Sequence, residues 1–433
     1  MSSTGGFKSL TSIEEVLREA GKLLTHKPST VKVNIGEALG RYLAEDIVAP
    51  FNLPPHNRSV VDGYAVRSRD TFGASPSNPV ILRVKGFIRV GENPSLEVGE
   101  GEAVELSTGA PMPKGADSVV MYEKARRVGD FIEVLEPVPP LANVSRVGED
   151  VRGGERILVR GVRLAPWDIA VLASLGYKSV MVYSVNVALI STGSELVELE
   201  SVEDARGVLE GGLVINSNRY SMEGLLRGNG FNPHYLGIVP DDFEAVRNVI
   251  LEALENYDAV ITMGGASVGK PDYTVKAVKS LNPEYLVHGI LMRPGRANSL
   301  AIIRGKPVFM LSGFPVASIV GFEAIAKPLL LKMVGGVEEP KPVVKGVLTR
   351  RVNTPINVRS YVRVKVYRKN GEVYVEPLAL TGSGILSTLV KGNGILIVPE
   401  NREGYDEGDI VEVILLRSIE WGGERVEEPL RGV

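Results

Sequence analysis

A chain of 433 residues has room for roughly two to four domains, and 44% hydrophobic with 23% charged residues is the make-up of an ordinary globular protein. The net charge of -3 provides no basic field to draw in nucleic acid or anionic lipid, while leaving open a local pocket for a small anion. Cysteine is absent, which excludes disulfides, thiolate metal sites and Cys nucleophiles, and the four histidines are not paired at metal-ligand spacing.

Any metal would therefore be a hard cation held by carboxylates. Glutamine is missing as well, and joint loss of Cys and Gln accompanies growth at high temperature. The polar start MSSTGGFKSL has no apolar signal-peptide core, and no apolar run reaches membrane-spanning length. A soluble cytoplasmic protein with no nucleic-acid or membrane partner is expected.

The first predicted element is a helix. Ile13, Val16, Leu17, Ala20 and Leu24 recur at helical spacing behind Thr11 and Glu14, which have the spacing of a capping box. A second short helix is predicted over 35–44, ending before Pro50. From 51 to about 147, short apolar pieces separated by Gly, Pro and Asn predict β-structure with tight turns. A helix returns over 163–177, with Pro166 placed for its start. The pattern predicts a small helical/mixed domain, 9–50 and 146–182, interrupted by a β-rich inserted domain, 51–145.

Strands and helices alternate over 183–337. Strands are predicted at 185–190, 235–239, 259–263 and 308–311, with helices at 218–227, 242–256, 275–279 and 317–331. That alternation predicts a doubly wound α/β domain with a parallel sheet, whose ligands lie outside the carboxyl ends of the strands. After a linker near 337–342, a domain over 341–418 is again β-like, a small barrel or sandwich, with a hairpin turning at Asn370-Gly371. The fold class is thus multi-domain α/β plus β.

Four loops at predicted strand ends carry polar chemistry. The stretch MGGASVGKPDYT, 263–274, combines Gly264 and Gly265, which permit close backbone approach, with Ser267, Lys270 and Asp272. It suits a phosphate or pterin-like ligand, with Asp272 in reach of a hydrated Mg²⁺, although it is neither a P-loop nor a dinucleotide fingerprint. Thr192 to Glu195 end the first strand. Asp241 follows the second, where Asp242 reads as the cap of the next helix. Ser312 to Pro315 end the last. Between them, Arg293-Pro294-Gly295-Arg296 offers forked donors to an oxyanion.

Several stretches in order, SVVDGYAV, LSTGAPMPKGADSVV, VGEDVRGGE, LISTGSEL, GIVPDD, ITMGGASVGKPDYT, MRPGRA and LSGFPVAS, resemble the molybdopterin molybdenumtransferases, the MoeA and gephyrin E-domain family. The resemblance runs from about residue 11 to about residue 415. It implies an elongated homodimer with its active site between the α/β domain of one subunit and the β-rich domain of the other. The implied reaction takes adenylylated molybdopterin and molybdate, depends on a divalent cation (Mg²⁺), and releases AMP, with the pathway's adenylyltransferase as a possible partner.

The resemblance also implies residue roles. Asp62, Thr108, Glu195, Asp241 and Asp272 would be catalytic, and Glu195, Asp241 and Asp272 would hold the metal. Asp150, Thr192, Gly264, Gly265, Ser267, Ser312 and Pro315 would contact substrate. Arg293, Arg296, Ser383 and one arginine of the last domain, Arg359 or Arg363, would take the oxyanion and phosphates. The chain departs from the family in two loops, where Arg-Pro-Gly-Arg-Ala stands for Lys-Pro-Gly-Lys-Pro and Leu-Ser-Gly-Phe-Pro for Leu-Pro-Gly-Asn-Pro. These departures motivate two alternatives, a tungstate-inserting paralogue and a non-catalytic molybdopterin-binding scaffold.

Overall fold

The computed structural model describes residues 10–265, 273–379 and 382–421. They fall into two compact units, one drawn from Met1–Ala44, Gly161–Ala165 and Ser179–Val433, the other from Glu45–Arg160 and Pro166–Lys178.

At the centre of the first unit is a six-stranded sheet made of β1 (Asn186–Thr192), β2 (Asn232–Val239), β3 (Ala259–Met263), β4 (Tyr285–His288), β5 (Ser299–Ile303) and β6 (Lys306–Leu311), in the order β2-β1-β3-β6-β5-β4. The strands β2, β1, β3 and β6 run parallel, as the alternation predicts. The edge pair β5 and β4 is antiparallel, which the sequence does not announce. The reason is local: β5 turns into β6 through Arg304-Gly305, both at positive φ, a two-residue hairpin without the usual Asn-Gly signal.

Alternate residues of each strand face opposite layers. Val187, Leu189, Ile261, Phe309 and Leu311 pack on one side with the helices Ile13–Leu23 and Ser217–Gly228. Ala188, Ile190, Val260, Val308 and Met310 pack on the other with Phe243–Asn256 and Tyr273–Ser280. A buried side chain of this kind contributes roughly 1.5–3 kcal/mol, so both faces must be covered.

Three expectations are corrected. The first helix is capped by Ser12, whose Oγ accepts the Glu15 N–H at 3.2 Å, while Thr11 forms a β-bridge to Ile290. The segment 35–44 is only a short 3-10 turn, Ile35–Glu37, because Gly40 leaves the helical region and the following residues join β-bridges. The helix expected over 317–331 begins at Pro315 and widens into a π turn at Phe322–Ala326 before Lys327–Met333.

Five strands of the C-terminal region, Val343–Leu348, Arg359–Lys369, Glu372–Ala379, Gly394–Val398 and Ile410–Leu415, close into a barrel around Val364, Val375, Leu396 and Val413. Its long hairpin turns at Asn370-Gly371, as the sequence predicts. The short strand Met292–Arg293 lies parallel to Arg359–Ser360, so the basic turn is attached to the barrel edge.

The second unit contains a six-stranded sheet in the chain region 63–134, and the helix Pro166–Ser174 starting at its expected proline. No helix among the described residues is long and apolar enough to cross a membrane.

Candidate active site

Because β1, β2, β3 and β6 are parallel, their carboxyl ends open on one edge. Register brings Thr192 beside Val239, Ser191 beside Met263, and Met263 beside Leu311. The Gly264 N–H donates to the Leu311 carbonyl at 3.0 Å. A Cβ on Gly264 would stand 2.2 Å from the Thr192 carbonyl oxygen, and its φ of +109° excludes most side chains, so the close approach of these loops requires glycine. A Cβ on Gly313 would stand 3.4 Å from the Gly264 Cα, which puts the β6 loop against the β3 loop.

Two hydroxyls flank Gly265. A Cβ there would be 2.9 Å from Thr192 Oγ1 and 2.1 Å from Thr274 Oγ1, and both oxygens are buried with no hydrogen-bond partner among the described residues. Buried hydroxyls normally find partners, so these two are poised to bind a group brought to the loop. Thr274 is a site candidate that the sequence reading does not single out. Behind them, Ser191, Asn216, Tyr235 and Glu198 form a hydrogen-bonded chain, and Arg219 lies 4.2 Å from the Tyr235 ring centre. Burial and the Glu198 carboxylate push the Tyr235 phenol up, so it stays a neutral donor.

Glu195 and Asp241 are exposed on adjacent strand-end loops, tied by the Asp241 N–H donating to Ser194 Oγ at 3.3 Å. Asp242 caps its helix through the Ala245 N–H at 2.8 Å, leaving Asp241 as the free acid. Among the described residues neither Glu195 nor Asp241 is in an ion pair, so two hard carboxylates remain for a divalent cation. No group of three or more His or acidic side chains could hold a metal ion among those residues. The third expected ligand, Asp272, lies outside the described residues together with Ser267 and Lys270.

Beside this edge lies a cavity of about 480 Å³. Arg293, Arg296 and Arg363 line it, with Ser312, Phe314, Thr354, Ser360 and Ser383, and among the described residues no carboxylate is in the lining. Arg363 is 3% exposed, and among the described residues its guanidinium donates to Thr388 Oγ1 at 3.2 Å and to the Tyr361 and Gly382 carbonyls at 3.3 and 3.4 Å. Burial, helped by the nearby Arg293, pulls its pKa down from the ordinary arginine value. Thr354 Oγ1 is another buried hydroxyl without a partner among the described residues. Among the described residues none of the three arginines is in an ion pair, which is expensive for a buried cation unless an anion completes it.

Of the two candidate arginines of the last domain, Arg359 points elsewhere, paired with Glu400 at 2.9 Å and with Glu14. Its charge is already neutralised. In the sequence Arg363 is one charged position of an alternating strand, between Val362 and Val364, and only its burial sets it apart. Pro315 opens the helix that follows Ser312, and the Val316 N–H donates to the Ser383 carbonyl at 3.0 Å, which joins the β6 loop to the barrel.

In the second unit, Asp62 and Thr108 are exposed and adjacent, the Thr108 N–H donating to Asp62 Oδ1 at 2.7 Å across 46 residues of sequence. Asp150 is exposed, and its backbone N–H donates to the Leu53 carbonyl at 3.0 Å.

Comparison with known proteins accounts for nearly the whole chain. Residues 11–176 match the MoeA N-terminal region (domain I and II), 188–332 the family described as "Probable molybdopterin binding domain", and 345–416 the MoeA C-terminal region (domain IV). A provisionally named molybdopterin biosynthesis protein of Methanocaldococcus jannaschii is 41% identical over 94% of this chain and 98% of its own length. A Staphylococcus aureus molybdopterin molybdenumtransferase is 34% identical over 93% of this chain and 96% of its own. The crystal structure of a molybdopterin biosynthesis MoeA protein from Pyrococcus horikoshii superposes with a TM-score of 0.80 at 35% identity, covering 94% of this chain and all of that one.

Proposed function

The chain belongs to the MoeA family of molybdopterin molybdenumtransferases, enzymes of molybdenum cofactor biosynthesis, and from that premise we propose that it inserts molybdate into adenylylated molybdopterin and releases AMP. The observation that carries this reading is the cavity lined by three arginines and, among the described residues, no carboxylate, beside the strand ends of the α/β domain.

In this scheme Thr192, Thr274 and the backbone around Gly264 and Gly265 take a phosphate of the substrate, and Ser267 adds a further hydroxyl. Glu195 and Asp241, with Asp272, would hold a Mg²⁺ ion that offsets the charge of the phosphoanhydride. Asp241 orients a water and takes its proton as the water oxygen bonds to the AMP phosphorus. The anhydride P–O bond breaks and AMP leaves. Arg363, Arg293 and Arg296 hold molybdate by charge and forked hydrogen bonds, with Ser312 and Ser383 donating hydroxyls. As the two thiols of the dithiolene bind molybdenum, the two protons they give up leave with one oxo group as water.

Asp62, Thr108 and Asp150 are further substrate contacts in this proposal. It takes the enzyme as a cytoplasmic homodimer that receives its substrate from the pathway's adenylyltransferase. The test is AMP release from adenylylated molybdopterin, with and without molybdate and Mg²⁺, in wild type, Asp241→Asn and Asp272→Asn. Molybdate-dependent release that both substitutions abolish supports the scheme. Tight substrate binding with no release in the wild type would replace it with a carrier role.

One observation favours a second reading. Ser312 and Phe314, which depart from the family pattern, both line the cavity. A tungstate-inserting enzyme would be recognised by faster turnover with tungstate than with molybdate, and a clear molybdate preference eliminates it.

A further inference from the structure

Two walls of the cavity come from separate segments of the α/β domain. One is the basic turn Arg293 to Ala297, the other the β6 loop with Ser312, Phe314 and Ala317. One side chain that is not in the lining joins them. Asn298 is 1% exposed and stands directly behind both walls.

Its bonds account for every group on the amide. The Asn298 N–H donates to the Gly295 carbonyl at 2.9 Å, closing the basic turn. Oδ1 accepts the Ser312 N–H at 2.8 Å, and Nδ2 donates to the Ala317 carbonyl at 3.0 Å while facing Met292 Sδ at 3.8 Å. Each strong side-chain bond from the basic turn therefore ends on the opposite wall. Only an amide supplies an acceptor and a donor from one short planar group, since a carboxylate would lack the donor and a hydroxyl the reach.

The surrounding sequence makes space for it. A Cβ on Gly295 would be 2.5 Å from Nδ2, and a Cβ on Gly321 would be 2.3 Å from it. Two glycines thus clear room for one buried amide, the second on the turn of helix just before the π segment. A buried polar group with all its partners made is held rigidly, because any displacement leaves donors or acceptors unpaired.

We propose that Asn298 is a positioning residue that sets the width of the oxyanion cavity, and through it the preference among tetrahedral oxyanions by size. The inference rests on the reading that this cavity takes molybdate. With the walls held at a fixed spacing, molybdate touches the arginines of one wall and Ser312 of the other together. Sulfate, with shorter bonds to oxygen, reaches one wall and leaves the other's donors unpaired.

The test is calorimetric titration of the full chain with molybdate and with sulfate, for wild type, Asn298→Leu, Gly321→Ala and Arg363→Met. Asn298→Leu keeps the buried volume and removes both bonds. Gly321→Ala keeps Asn298 and displaces its amide from outside, so it carries the test if the leucine variant does not fold. The expected result is molybdate binding weaker by about tenfold, the effect of misplacing one hydrogen bond to a charged ligand. Sulfate should change much less, so that the preference shrinks. Equal weakening of both anions, or unchanged binding with a lower melting temperature, overturns the positioning role and makes Asn298 a structural staple. Wild type that binds no molybdate, or Arg363→Met that binds as well as wild type, overturns the cavity reading itself.

Discussion

Replacing Arg363 by methionine separates a ligand-binding cation from a structural one, because the two roles predict opposite signs. The guanidinium is 3% exposed and is served by three neutral acceptors at 3.2–3.4 Å, near the long end of useful hydrogen bonds. The ligand-free protein therefore carries a nearly uncompensated charge, and an apolar side chain of similar length should leave stability unchanged or improve it, by as much as about 1–3 kcal/mol. Binding moves the other way. A buried charged hydrogen bond to an oxyanion is worth about 1.5–3 kcal/mol, so molybdate affinity should fall by roughly ten- to a hundredfold at 1.4 kcal/mol per decade. Arg296 is exposed, and Arg296→Met should cost only a few-fold, most of it lost at high salt. Calorimetry with molybdate at low and high ionic strength, beside thermal denaturation, measures both quantities. Unchanged molybdate binding with a lower melting temperature would refute the reasoning, since Arg363 would then be part of the scaffold.

Other outcomes follow from the same geometry. Gly264→Ala places a methyl 2.2 Å from the Thr192 carbonyl at a φ of +109°, and should destabilise the chain by about 2–4 kcal/mol in urea titration. Asp242→Ala, which removes the cap on Ala245, should cost about 1 kcal/mol while AMP release persists. Asp241→Asn should do the reverse, leaving stability intact and stopping release. Burial pushes the Tyr42 phenol up to about 12 from 10.0. The unfolded chain therefore ionises this phenol first, so stability is complete below pH 10 and falls as pH rises towards 12. Tyr42→Phe should flatten that part of a denaturation-midpoint profile, and an unaltered slope would assign it to other tyrosines.

Much of this molecule is legible in the order of its residues, and the legible part is local. Apolar residues at helical spacing mark Ile13–Leu23 and Phe243–Asn256, and Asn370-Gly371 turns its hairpin because both residues accept positive φ. Clusters of Gly, Ser and Asp after buried strands announce the loops at Thr192, Asp241, Gly264 and Ser312, because parallel strands put their carboxyl ends on one edge. Local ambiguity accounts for the smaller errors. Ser12 and Thr11 are equally good caps by composition, and only the path of the chain towards Ile290 selects Ser12.

What the tertiary structure decided depends on partners far apart in sequence. Pairing of Met292–Arg293 with Arg359–Ser360 sets the basic turn against the barrel, and place along one face of the same strand then commits Arg359 to Glu400 and Glu14 and leaves Arg363 to the cavity. Two arginines four positions apart look alike in a sequence, since burial and neutralisation belong to the environment and not to the residue. The same holds for Asp62 and Thr108, joined across 46 residues, and for Asn298, whose neighbours reveal nothing of Ser312 and Ala317. Period and propensity are carried by adjacent residues, whereas register, burial and the pairing of charge arise only when remote segments share one edge.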